Sequence, residues 1–194
     1  MVSVNSIKKE RTKNAFIDTT VEMIIENGYE KATARDIASK TGYTTATLYK
    51  HMSSLDNVFW LVRNKIIDDL VDHIILKTKH SRTKVIEKTF KEYVDYIVNK
   101  PNLFRFLFFY QHQKEKTDFY EHSSYSELGS LFMDQFTELG AKKGINQEVI
   151  MIMNSTIFFS VQGMLMVYLS NNYGFDQKML YMNLEGILKL VLGD

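Results

Sequence analysis

The chain of 194 residues contains no cysteine. Disulfides, thiolate metal sites and thiol nucleophiles are therefore excluded. It has one proline, Pro101, and nine glycines. So few helix breakers favour long uninterrupted helices. Neither charge dominates: 24 Lys and Arg stand against 23 Asp and Glu, for a formal net charge of +1. That excludes a general coat of positive charge for nucleic acid. No apolar run approaches the roughly 18 residues that a membrane helix needs. Residues 1–11 are polar and basic, without the apolar core of a secretory signal. These absences together lead us to expect a cytoplasmic chain that makes no use of a membrane.

Catalytic signatures are absent as well. There is no P-loop, no dinucleotide fingerprint and no nucleophile elbow. Ser81-Arg82-Thr83-Lys84 has the Ser-x-x-Lys spacing, but it lies where a helix cap is expected and lacks partner motifs. Asp69 with His73 and Asp118 with His122 stand four residues apart, and exposed ion pairs explain both more simply than a metal. The expectation is a non-enzyme with no cofactor and no metal.

What is present is helical periodicity. Phe16, Thr20, Met23, Ile24 and Asn27 recur at helical spacing, with Ile17 beside them. This predicts a first helix over 8–27, closed by Gly28. Thr33 and Asp36 suit the start of a second helix, with Ile37 and Ala38 facing inward. Gly42 permits a tight turn, and Thr44 caps a short third helix over 45–52. Further helices are predicted over about 55–79, 82–99, 101–113, 121–143, 147–170 and 177–192, with Pro101 in the first turn of its own. No strand pattern competes. The fold class read from this is all-α, with an N-terminal three-helix domain (1–52) and a larger helical domain (53–194).

Residues 32–52 are the most informative stretch. Two short helices meet at a glycine turn, and the second begins on hydroxyl residues and carries no acid. This is the layout of a helix-turn-helix, whose second helix enters the DNA major groove. The segment 1–52 holds eight Lys and Arg against six Asp and Glu. Four of those cations, Lys8, Lys9, Arg11 and Lys13, fall at the start of the first helix, where the helix dipole disfavours them. They suit phosphate contact or a solvated terminus. Short capped helices around a glycine also occur in bundles that bind no DNA, so a helical protein-interaction module is the alternative reading.

Phe16-Ile17, Met23-Ile24, Glu26, Gly28-Tyr29, Thr33, Ile37-Ala38, Gly42, Thr44, Leu48-Tyr49, His51 and Val58 together resemble the N-terminal domain of the tetracycline-repressor-like (TetR) family. The resemblance covers about a quarter of the chain by motif and the rest by architecture. It implies a DNA-binding regulator, usually a repressor. It also implies that Thr33 and Thr44 touch phosphates while capping helices. Thr45, Ala46 and Lys50 would face base edges, and Tyr49 and His51 would meet the sugar-phosphate backbone. Lys9 joins this set from the cationic cluster. Lys50 suits a guanine edge, and a Thr or Ala methyl suits a thymine methyl. Met52 replaces the family's usual Phe and Thr20 its usual Ala. Leu55 stands where the family usually has a phosphate-binding cation.

A helix-turn-helix protein usually reads a pseudo-palindromic operator as a homodimer. Met153, Ile157, Val161, Met164 and Tyr168, with Leu180, Leu184, Ile187 and Leu188, stripe the last two helices. They suit either a four-helix interface between two copies or the core of one chain. Phe104, Arg105 and Phe108, with Phe132, Phe136, Met151 and Phe158, suit the wall of a pocket for a small apolar or aromatic effector, or equally a filled core.

Overall fold

The computed structural model describes residues 4–81, 83–112 and 125–193. All the regular structure among these residues is helical, as expected. The order is α1 (Val4–Asn27), a 3-10 turn (Tyr29–Lys31), α2 (Ala34–Lys40), α3 (Thr45–His51), α4 (Leu55–Thr78), α5 (Val85–Asn99), α6 (Pro101–Phe109), α7 (Tyr125–Lys143), α8 (Gln147–Ser170) and α9 (Gln177–Leu192). Pro101 takes the first turn of α6, where its missing N–H costs nothing. Helix α1 begins at Val4, four residues before its expected start, and two later boundaries shift as well. Helix α5 starts at Val85 because Lys84 holds a left-handed backbone, with φ 54°. Helix α6 ends at Phe109 because Tyr110 turns extended and sends its hydroxyl to Asp56. Residues 121–124 of the expected seventh helix, and the Asp118/His122 pair, lie outside the described residues.

The chain forms two compact units, which divide it differently from a boundary after residue 52. The first unit takes the described residues up to Asp69 and returns for 100–112. Its core is Phe16, Ile24, Ile37, Leu48, Met52, Val58 and Phe106. Helix α6 is tied to α1 by Asn102 Nδ2, which donates to the Ile25 carbonyl at 3.0 Å. The Arg63 guanidinium donates to the Leu107 carbonyl. These long-range ties explain why α6 joins the first unit despite its place in the sequence.

The second unit contains 70–99 and 125–193, residue 82 apart. Phe90 stacks on Phe132 at 4.5 Å and meets Phe136 edge-on. The buried Tyr93 hydroxyl is paired with the Gln162 amide at 2.8–3.1 Å. The Tyr181 hydroxyl donates to Asp95. Burial and that carboxylate push its pKa up to about 12, so the phenol remains a donor at neutral pH.

Helix α8 is long and apolar enough, by length and composition, to cross a membrane, contrary to the expectation that no segment is. In the structure it packs on α7 and α9, and Asn154, Ser155, Thr156, Ser160 and Gln162 interrupt it with polar groups.

Candidate nucleic-acid interface

The helix-turn-helix is built from caps upward. Thr33 Oγ1 accepts from the Asp36 N–H at 3.2 Å and donates to the Asp36 carboxylate, fixing the start of α2. Thr44 repeats the device on α3, accepting from the Thr47 N–H at 3.1 Å. Each such cap is worth about 1 kcal/mol. Gly42 makes the turn with φ 74°, a conformation that costs glycine little. Ile37, Leu48 and Met52 are buried and set the roll of the two helices. Phe16 and Tyr43 lie ring to ring at 5.3 Å, bracing α1 against the turn.

That roll leaves one face of α3 outward. Thr45, Ala46, Tyr49 and Lys50 are all exposed, with Tyr49 51% accessible. Thr33 and Thr44 are exposed beside them, and Lys9 is exposed on α1. Helix α3 carries no acid, and its last turn holds Lys50 and His51. The surface therefore combines a basic, hydroxyl- and methyl-bearing helix with two capped helix N-termini, a combination suited to base edges and phosphates. His51 stands apart from the rest. It is half-buried, and its Nδ1 is buried without a partner.

Residues 16–59 match the model of the bacterial regulatory proteins of the tetR family. Over these residues the chain is similar to the N-terminal domain of that family. The chain is 28% identical over 104 residues to the uncharacterized HTH-type transcriptional regulator YwcC of Bacillus subtilis, covering 50% of the chain and 47% of the relative. It is 22% identical over 106 residues to the HTH-type transcriptional activator FasR of Mycolicibacterium smegmatis, covering 54% and 48%. The chain thus spans about half the length of the curated relatives it matches. Its fold resembles that of the transcriptional regulator FadR from Bacillus subtilis, solved in complex with stearoyl-CoA. There the TM-score is 0.68 at 18% identity, covering 92% of this chain and 96% of that one.

The other expected sites fare differently. Five residues of the expected pairing stripe, Ile157, Val161, Leu180, Leu184 and Leu188, are buried inside the protomer, and Met153, Met164, Tyr168 and Ile187 are half-buried. Helices α8 and α9 pack on one another within the chain, so the buried part of that stripe belongs to the protomer's own core. The outward faces are also apolar. On α8, Ile152, Phe159, Gly163 and Met166 fall on one side, opposite Ile157 and Val161, with Phe159 70% exposed. On α9, Met179, Met182, Gly186 and Leu190 do the same, with Leu190 79% exposed. Apart from its own helix backbone, nothing among the described residues lies within 4 Å of a Cβ placed on Gly163 or Gly186.

The expected pocket residues are divided between the two units. Phe132 and Phe136 are sealed in the core around Phe90, and Phe158 meets Phe132 at 6.0 Å. Met151 is exposed. Phe104 is buried in the first unit against Phe108 at 4.7 Å, while Arg105 and Phe108 are exposed. Asp69 and His73 are engaged separately, by Lys65 at 2.6 Å and Glu92 at 3.2 Å.

One polar cluster has no local signature in the sequence. Asp56, in the first turn of α4, accepts from the Tyr110 hydroxyl at 2.8 Å and meets His112 Nδ1 at 3.2 Å. The His112 side chain is only 6% exposed and lies edge-on to Trp60. Burial, aided by the Arg63 charge, lowers its pKa despite Asp56. Burial and the Asp56 carboxylate raise that of Tyr110. The partners are more than fifty residues apart in sequence, which no local motif signals.

Proposed function

We propose that this protein is a transcriptional regulator that binds operator DNA as a homodimer and is not an enzyme. The exposed face of α3 (Thr45, Ala46, Tyr49, Lys50), flanked by the capping hydroxyls of Thr33 and Thr44, carries this reading. Lys9 adds a phosphate contact from α1, and His51 acts by packing. The outward apolar faces of α8 and α9 make the four-helix pairing surface, with Gly163 and Gly186 allowing the helices of two copies to approach closely. Pairing sets the spacing of the two α3 helices, so the operator is pseudo-palindromic.

The regulator acts as a repressor released by a small apolar or aromatic effector. Phe132, Phe136 and Phe158 line the effector's place in the second unit, opened by repacking of their rings. Phe104, Arg105 and Phe108 respond through α6. Stearoyl-CoA, held by the similarly folded FadR, has the apolar body this requires. An effector shifts DNA affinity only by its differential affinity for the two states. Helix α4, which runs from the first unit into the second, transmits the difference.

A mobility-shift assay on duplex DNA tests the reading. Retention that falls steeply with salt is expected. No retention at low salt would favour the helical interaction module instead.

A further inference from the structure

One feature of the second unit has no part in DNA reading, pairing or the aromatic core. A cleft of about 780 Å³ opens where the end of α4, the segment before α5, the end of α7 and Leu192 come together. That volume lies within the range of about 300–1,000 Å³ usual for small-molecule sites. Its walls are chemically divided. Lys79, Lys84, Lys142 and Lys143 line it, against only two carboxylates, Glu87 and Glu138. Lys142 neutralises Glu138 at 2.6 Å, and Lys143 is held on the Leu192 carbonyl at 3.0 Å. Lys79 and Lys84 are exposed. Lys84 directly precedes α5, where the helix dipole disfavours a cation, so its charge does not serve the helix.

The rest of the lining is apolar or polar and uncharged. Ile75, Ile86, Leu139 and Leu192 supply a hydrophobic wall, and Ile75 is nearly half exposed there. Gln135 also lines the cleft. Its Nε2 donates to the buried Thr89 hydroxyl at 2.9 Å, and its Oε1 is buried without a partner. Several cations, an aliphatic wall exposed at Ile75 and the Gln135 amide thus occupy one concavity.

We propose that this cleft binds a small amphiphilic organic anion, its acidic group at Lys79 and Lys84 and its apolar body along Ile75, Ile86 and Leu139. This site is distinct from the aromatic cluster of Phe132, Phe136 and Phe158, and it does not depend on DNA binding.

Octyl phosphate, kept below its micelle-forming concentration, is a direct probe. Calorimetric titration of the full chain should detect saturable one-to-one binding. Octanol and inorganic phosphate each lack half of the recognised chemistry and should bind at least about tenfold more weakly. The Lys79→Gln/Lys84→Gln variant should weaken octyl phosphate about tenfold and leave the thermal melt unchanged, since both side chains are exposed. Octyl phosphate affinity should also fall as salt rises. Equal affinity for octanol and octyl phosphate, or an unchanged affinity in the double variant, would overturn the proposal. Binding of inorganic phosphate as tight as that of octyl phosphate would also overturn it, since the apolar wall would then contribute nothing.

Discussion

Thr44 does two jobs with one hydroxyl. It closes the N-terminus of α3, and it stands exposed where a phosphate would meet that terminus. Thr44→Ala should cost about 1 kcal/mol of stability, which for a chain of this size lowers Tm by about 2–4 °C. It should also weaken DNA binding without altering sequence preference. Lys50 and Lys9 are expected to separate. Lys50→Ala should relax preference at one base position, whereas Lys9→Ala should weaken all sequences alike and flatten the salt dependence. Equal effects on specificity would contradict the assigned roles. His112 gives a pH signature. Its folded pKa lies below the ordinary histidine value of about 6.5. As pH falls, the unfolded chain therefore takes up the proton first, and stability declines below about pH 6.5. The drop in Tm from pH 7.5 to 5.5 should be smaller in His112→Gln than in the parent. An equal drop would show that His112 is not the group responsible. Thr33, Thr44 and Gly42 were legible in the sequence because caps and turns are local chemistry. Asp56, Tyr110 and His112 were not, because only the fold brings them together.

Helices were legible as helices wherever one face alone is apolar. Helix α5 shows this best: Ile86, Phe90, Tyr93, Val94 and Ile97 are all buried at helical spacing. Helix α8 is apolar on both sides, so its periodicity marks a helix without marking its inward face. Ile157 and Val161 are buried within the protomer, and the exposed side through Ile152, Phe159 and Met166 emerged only with the structure. The two faces predict opposite outcomes for substitution. Leu184→Ala, on the buried side, should cost about 2–5 kcal/mol of stability. Phe159→Glu with Met182→Glu should leave the protomer folded by circular dichroism but sediment as a monomer. A parent that is itself monomeric at micromolar concentration would remove the pairing surface from the account.

For the molecule as a whole, length and composition indicated the all-helical class, but not the division into units. Helix α6 rejoins the first unit through the Asn102 and Arg63 ties, and α4 serves both units. Such returns leave no linker, proline cluster or change of composition to read. On the proposed reading, pairing through the second unit fixes the distance between the α3 helices of two copies. Selection of bound sequences from a random duplex pool, followed by sequencing, tests this most directly. The expected result is an enriched inverted repeat whose half-site centres lie one helical turn apart, about 34–36 Å, or a multiple of it. Enrichment of no sequence, or of a single asymmetric site, would contradict it.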